Sequence, residues 1–327
     1  MMADYQALVV TETDGQVQAG LENVNDQLAD GDVRIKVAYS SLNYKDMLAM
    51  QAKGGVIRDY PKIPGIDLSG TVVESLDDRY RVGQSVLVTG YQLGTQHNGG
   101  LAEYARVPAD WIVPLPKQLS LQPAMTYGTA GFTAGLSIAA LLNAGMTVTN
   151  QPRIVVTGAS GGVGSIALAI LKHLGFQRLT AVIHQPHQAE MVTGLGATAV
   201  LLADDLQVPG ILAKQRFEFA LDTVGGTVAA ALLPQLALHG AMTLCGNAGG
   251  ITLQTTVMPF ILRGVSVLGI DSVTATHDER LAIWQHLATD WRVDDALVVN
   301  QVPLSEVLPV IAQLKAGQHL GRTIVKL

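Results

Sequence analysis

The stretch Ile154-Val155-Val156-Thr157-Gly158-Ala159-Ser160-Gly161-Gly162-Val163-Gly164 decides how this chain is read. A run of β-branched residues predicts a buried strand, the glycines a tight turn, and the continuation Ser165-Ile166-Ala167-Leu168 a helix. A turn without Cβ atoms lets a pyrophosphate approach the backbone, and the amides at the helix start bind its negative charge. Against the fingerprint G-x-G-x-x-G, Ala159 takes the first position and Gly161 and Gly164 the second and third. Ser160, Gly161, Gly162, Val163 and Gly164 are therefore the expected dinucleotide contacts. The same glycines also suit a ligand-free turn, but a second predicted strand over 179–184, about 20 residues on, favours the cofactor.

Outward from this stretch the texture is that of alternating strands and helices. From about Leu121, predicted strands at 153–157, 179–184, 199–202, 219–222, 241–244 and 265–270 alternate with helices such as 162–174, 188–195 and 226–236. That is the rhythm of a doubly wound parallel sheet in an α/β domain. Before it, short strands at 6–11, 32–39, 69–74, 85–88 and 101–107 are separated by Gly15, Gly31, Gly83 and Gly99-Gly100, a pattern suited to a small antiparallel barrel. Helices at 278–288 and 304–315 and a last segment at 321–327 follow. The expected organisation is a first domain over 1–120, a dinucleotide-binding domain over 121–275, and a return segment over 276–327 that completes the first domain.

Composition narrows the classes of function. With 327 residues, 48% of them hydrophobic and 15% charged, the chain can bury two cores. A net charge of −6 and no Lys/Arg-dense stretch leave no electrostatic footprint for nucleic acid. The opening Met1-Met2-Ala3-Asp4-Tyr5 lacks the basic and apolar regions of a secretory signal, and no uninterrupted apolar run approaches about 18 residues. The expectation is a cytoplasmic protein without a membrane partner. Cys245 is the single cysteine, which excludes an intrachain disulfide and a zinc site built from several thiolates. It reads as a small packed residue rather than a reactive thiolate.

The second strand bears on the choice of cofactor. In an NAD-selective site it ends in Asp or Glu, which accepts the ribose hydroxyls. Here it ends Val182-Ile183-His184-Gln185-Pro186-His187, without an acid and without an arginine. The missing carboxylate favours NADPH, with NADH kept as the alternative. His184 and His187 are either donors to a 2′-phosphate or solvated loop histidines, and sequence leaves both open.

Several further segments carry a resemblance. They are Ser40-Ser41-Leu42-Asn43-Tyr44-Lys45-Asp46, Pro64-Gly65-Ile66-Asp67-Leu68-Ser69-Gly70-Thr71-Val72 and Gly128-Thr129-Ala130-Gly131-Phe132-Thr133-Ala134, together with the glycine loop. Asp222-Thr223-Val224-Gly225, Thr255 to Arg263, Gly269-Ile270-Asp271-Ser272 and Gly321-Arg322-Thr323 extend the match over almost the whole length. In these the chain resembles the zinc-free acryloyl-CoA reductase and YhdH/YhfP-like quinone oxidoreductase branch of the medium-chain dehydrogenases/reductases. The resemblance implies a GroES-like β-barrel catalytic domain with an inserted Rossmann domain, and an active site in the cleft between them. It implies an oxidoreductase that uses NADPH to reduce an activated C=C bond, in an acryloyl-CoA-like enoyl thioester or an enone, or to reduce a quinone. Zinc-dependent relatives carry Cys, His and Glu ligands, whereas Asn43, Tyr44 and Pro64-Gly65-Ile66-Asp67 stand at those places here. It also implies a homodimer paired through the strand at 265–270.

Within that frame Tyr44 is the first catalytic candidate, because a phenol can donate to a substrate or cofactor oxygen. Asn43 and Asp67 are polar organisers of the same cleft, or else a structural hydrogen-bond network. Asp46 reads as a helix-start carboxylate, and Thr129 as a nicotinamide neighbour or a helix cap. His184, Gln185, Thr223, Gly246, Asn247, Ile270 and Ser272 lie at the ends of strands, where open α/β sheets bind ligands. Arg322 is expected to contact a phosphate of the cofactor or of coenzyme A, or else to lie on the surface. Substrate contacts are expected from the loops at 51–60 and 91–98. The competing class is a redox sensor or structural protein that binds NADPH without turning it over.

Overall fold

Asp14 and Gly15 both take left-handed backbone conformations, φ 52° and 76°, the geometry of a two-residue hairpin turn. They join strands β1 (Tyr5–Thr13) and β2 (Gln16–Val24), paired antiparallel with Thr13 opposite Gln16. The computed structural model describes residues 4–25, 30–52, 54–206 and 210–327. Residues Met1 to Ala3 and Lys53, which belong to segments considered above, lie outside these. The chain continues through β3 (Val33–Ser41), helix α1 (Tyr44–Ala49), β4 (Asp67–Ser75), β5 (Ser85–Thr89), β6 (Tyr104–Val107), β7 (Val113–Pro114) and α2 (Leu121–Asn143). Next come β8 (Ile154–Thr157), α3 (Gly162–His173), β9 (Leu179–Ile183), α4 (Ala189–Gly194), β10 (Ala199–Leu202), β11 (Phe217–Asp222), α5 (Gly226–Leu232), β12 (Leu236–Leu244), α6 (Met258–Arg263) and β13 (Ser266–Gly269). The last elements are α7 (His277–Ala288), β14 (Val299–Pro303), α8 (Val307–Lys315) and β15 (Arg322–Lys326).

Two compact units result. The first comprises Met1–Thr129, Ser272–Thr289 and Val299–Leu327; the second comprises Ala130–Asp271 and Asp290–Val298. In the first, the strand order is β14-β15-β3-β4-β5-β7, with β6 also on β3. All of these pairs are antiparallel except β14 with β15, which run parallel, so the sheet is mixed rather than purely antiparallel. Val33, Ile35, Val37, Leu68, Val72, Val86 and Val88 alternate inward along β3, β4 and β5 to form one core. Leu8, Leu42, Met47, Val307 and Val325 belong to another.

In the second unit six parallel strands follow the order β10-β9-β8-β11-β12-β13. The direction of winding reverses between β8 and β11. This is the Rossmann order, and its switch point is where ligands bind. β8 is buried at every residue, as a central parallel strand must be. α2 is long and apolar enough to pass for a membrane span, yet 72% of its apolar window is buried inside the protein.

Candidate active site

In the second unit, Gly158 (φ 56°) turns the chain at the end of β8. Its amide neighbourhood is held from β11, because the Thr223 hydroxyl donates to Thr157 O at 2.9 Å and the Thr223 amide to Thr157 Oγ1 at 3.0 Å. Thr157 in turn donates to Asp222 Oδ1 at 2.7 Å, and Asp222 Oδ2 accepts the Gly225 amide at 2.7 Å. Burial raises the Asp222 carboxyl, while its hydrogen bonds to Thr157, Gly225 and Val224 pull it back. Thr223 thus shapes the loop through its hydroxyl, which leaves its role beside a ligand to the exposed side of the turn.

Three glycines of the loop serve different ends. A Cβ on Gly158 would lie 2.3 Å from Thr223 Oγ1, and one on Gly164 2.4 Å from Gly158 O, so both are required by packing. A Cβ on Gly161 would meet only Gly158 O, at 3.2 Å. Gly161 is the N-cap of α3, and the amides of Gly162, Val163 and Gly164 after it have no acceptor within their own helix. Packing alone barely explains Gly161, whereas close approach of a pyrophosphate does, so the loop fits a nicotinamide dinucleotide. Ser160 beside it is buried.

At the end of β9, the amides of His184 and Gln185 both donate to Gln188 Oε1, at 3.0 and 3.1 Å. Gln188 is buried and caps this turn from within; its role was not read from the sequence. The side chains of His184, Gln185 and His187 are exposed. Gly246 packs on β11, where a Cβ would sit 1.8 Å from Thr223 O, and Asn247 beside it is exposed. Ile270 donates its amide to Leu244 O at 3.0 Å. The Ser272 carbonyl, in the first unit, accepts from Arg280 at 3.0 Å. Burial pushes the Cys245 thiol up to about 12, with the Asp222 charge adding to it, so it is no nucleophile near neutral pH.

In the first unit the predicted residues Asn43, Tyr44, Asp67, Thr129 and Arg322 gather in one place. Asp67, at the start of β4, is fully buried. Its Oδ2 accepts from Ser41 Oγ at 2.5 Å and from Asn43 Nδ2 at 2.7 Å, and the Thr129 amide lies 3.0 Å from each of its oxygens. The Thr129 hydroxyl also donates to Oδ1. Asp46 occupies the N3 position of α1, accepting the Asn43 amide at 2.8 Å and the Ile66 amide at 3.0 Å. Burial, and then the charge of Asp67, raise Asp46 to about 7 against the pull of these bonds.

Arg322 corrects its expectation. It is 2% exposed, and its guanidinium donates to Thr126 O at 2.9 Å, Leu42 O at 3.1 Å, Ser41 Oγ at 2.9 Å and Asn43 Oδ1 at 3.4 Å. It is neither a surface residue nor a phosphate contact; it is the buried cation that offsets Asp67 and Asp46. Asp67 is likewise a positioning residue, because both of its oxygens are spent on protein donors. Gly128 makes the assembly fit. It breaks α2 with φ 51° and ψ −154°, and a Cβ there would lie 2.5 Å from both Asp67 Oδ2 and Ser41 Oγ. Ser41, Gly128 and the Thr126 carbonyl were missed as partners, although two of the three lie in segments that carried the resemblance.

What this cluster leaves accessible is Tyr44, 43% exposed at the first turn of α1, with the half-buried Asn43 before it. The exposed phenol of Tyr44 is the neutral group beside the buried charges, because Asn43 Nδ2 is bonded to Asp67, Asp46 and Ser41. A zinc ion does not fit this arrangement. The Asp46 and Asp67 oxygens are filled by N–H and O–H donors, and among the described residues no group of three or more His, Cys, Asp or Glu is placed to hold a metal.

Residues 29–117 match the family model for the alcohol dehydrogenase GroES-like domain, and 162–288 that for zinc-binding dehydrogenase. The acrylyl-CoA reductase AcuI of Ruegeria pomeroyi is 42% identical over 98% of each chain. The yhdH oxidoreductase of Salmonella enterica, solved in complex with NADP, is 44% identical over 98% of this chain and 99% of that one, with a TM-score of 0.95. Bacillus subtilis yhfP, solved with NAD bound, is 42% identical over 100% of both, with a TM-score of 0.96. The chain belongs to the medium-chain dehydrogenase/reductase family of oxidoreductases, in the branch that holds the acrylyl-CoA reductases and the YhfP-type quinone oxidoreductases.

Proposed function

We propose that this protein is an NADPH-dependent reductase of an activated C=C bond, in an acryloyl-CoA-like enoyl thioester or an enone, or of a quinone, and that it works without zinc. The observation that carries the reading is an exposed neutral donor, Tyr44, beside the buried charged cluster that holds Asn43, within a chain similar throughout to an acrylyl-CoA reductase. Bound NADPH supplies the hydride. The amides of Gly162, Val163 and Gly164 hold its pyrophosphate, and the loop of His184 and Gln185, lacking a carboxylate, admits a 2′-phosphate.

As the β-carbon of an enoyl thioester or enone accepts hydride, negative charge develops on the carbonyl oxygen. Donors fixed in advance stabilise that charge better than mobile water. Tyr44 Oη is the donor we assign; Asn43, its amide fixed by Asp67 at one end and Arg322 at the other, is a positioning residue at the start of α1. Anaerobic assays of NADPH and NADH oxidation by acryloyl-CoA, a small enone and a 1,4-quinone test the reading. NADPH binding without oxidation by any acceptor would instead make the protein a sensor. Replacing Tyr44→Phe is expected to lower kcat at least tenfold with little change in NADPH affinity.

We also propose a homodimer paired through β13. This strand ends its sheet, and the adjacent α6 leaves Ile261 and Leu262 68% and 56% exposed. Sedimentation at micromolar concentration is expected to give twice the chain mass, and a monomer there would sink the pairing.

A further inference from the structure

The second unit holds a cavity of about 300 Å³ where the strands β8, β11 and β12 begin, at the opposite end of the parallel sheet from the glycine loop. Thr147, Asn150, Gln151, Arg178, Glu218 and His239 bound it with polar side chains. That is the volume of a site for a small metabolite. Open α/β sheets bind their dinucleotides at the carboxyl ends of the strands, so the cofactor does not account for this space.

Two of these side chains are spent on the protein. Gln151 Nε2 donates to Gly175 O at 3.0 Å, and its Oε1 accepts the Gln177 amide at 2.9 Å. Glu218 accepts the Arg153 amide at 2.6 Å, and Arg153 Nε lies 3.1 Å from each of its oxygens. The others have little or nothing to bond. Arg178 makes one long hydrogen bond, 3.4 Å from Nη1 to Gln151 O, and no ion pair among the described residues; the side chains of Thr147, Asn150 and His239 make no hydrogen bond among them. His239 is the residue that packing does not explain. Phe217 pairs with Leu236 but Phe219 with Ala241, so β12 bulges between them, and His239 stands on the bulge with a left-handed φ of 57°. Glycine takes that conformation freely, whereas a side chain there costs free energy. The exposed ring returns nothing for it within the protein, and Gly264 leaves the room for it, since a Cβ there would lie 3.0 Å from His239 Nδ1. Strain without a structural return, in the same wall as an unpaired guanidinium, points to a ligand contact.

We infer that this cavity binds a small oxyanion with two or more negative charges, a phosphate ester or a polycarboxylate. With Glu218 offset by Arg153, Arg178 leaves the wall with a surplus positive charge. Its planar fork matches two oxygens of a phosphate or carboxylate at once. His239, Asn150 and Thr147 supply further donors to the remaining oxygens. The site lies wholly within the second unit, shares no residue with the glycine loop or with Tyr44, and stands whether or not the reductase reading does.

The test uses the full chain saturated with NADP+, so that added anions do not enter the dinucleotide loop. Inorganic phosphate, glycerol 3-phosphate and citrate are titrated by calorimetry at constant ionic strength, with sodium chloride as the control, into the wild type, Arg178→Gln and His239→Gly. The expected result is saturable binding of at least one probe with a dissociation constant of about 1 mM or below, and none of chloride. Arg178→Gln should weaken that binding about tenfold, and His239→Gly at least about threefold. His239→Gly also relieves the left-handed strain, so its melting temperature should equal or exceed that of the wild type. Weaker binding in a protein no less stable is the loss of a contact and not of the fold. Tighter binding of the two phosphates assigns the site to a phosphorylated metabolite, and tighter binding of citrate to a polycarboxylate; either upholds it. No saturable binding of any probe, or binding unchanged in both variants, overturns the inference.

Discussion

Gly128 illustrates how much of this site depends on an atom that is missing. Alanine there meets Asp67 and Ser41 at 2.5 Å and must hold a φ of 51°. Overpacking and backbone strain together should cost about 2–4 kcal/mol, read as a fall in the urea midpoint of Gly128→Ala. Two titrating groups near Arg322 also act in opposite directions. Asp46 is raised from 3.8 to about 7, chiefly by burial, so the unfolded chain ionises first and stability is lost as pH rises through that window. His319 is lowered from 6.5 to about 4 by burial and then by Arg322, so stability is lost as pH falls from 6.5 towards 4. Between about pH 4.5 and 6.5 the two slopes offset each other, and the wild type should be nearly flat there. In His319→Gln the urea midpoint should fall with rising pH, by on the order of 2 kcal/mol across that range. In Asp46→Asn it should rise by a similar amount, and parallel profiles for both variants would contradict the assignment.

Among the elements, the glycine loop separates a packing requirement from a binding one. Gly164→Ala forces a Cβ to 2.4 Å from Gly158 O and is expected to destabilise the fold by about 1–3 kcal/mol. Gly161→Ala meets only a 3.2 Å contact, so its melting temperature should stay near wild type while its affinity for NADPH drops at least tenfold. Thermal unfolding and fluorescence titration on the same two samples decide this. The strands of the second unit were legible in the sequence because each is a short apolar run closed by a turn residue; 199–202 is reproduced to the residue as β10. β2 was missed although Val17, Ala19 and Leu21 alternate along it, because Gln16–Val24 holds as many polar as apolar side chains and no residue in it is fully buried. Of α1 only the start was read, through Asp46, because six residues are less than two turns, too few for a helical period to appear. The site was half legible. Asn43, Asp67 and Thr129 were named, but that Arg322 stands behind them depends on a contact across 281 positions of chain, which no local pattern encodes.

At the level of the whole molecule, the two units have separate cores and separate tasks. NADPH at about a hundred times its dissociation constant should stabilise the state that binds it by about 2.7 kcal/mol. We expect slowed amide exchange first in β8, β11 and the start of α3, with a smaller change in β3 and β4, measured with and without cofactor. Uniform slowing across both sheets would mean that the units open together.

The first unit closes on β15, which pairs with β3 and carries Arg322 into the polar cluster. During synthesis the second unit therefore has all of Ala130–Asp271 available while the first still lacks its final strand. For that interval Asp46 and Asp67 have no buried cation beside them, and the substrate side of the enzyme cannot take its final form. A chain that ends before residue 322 is expected to keep the glycine loop of its second unit yet to lack the cation that fixes Asn43 beside Tyr44, so its turnover should fall further than its cofactor affinity.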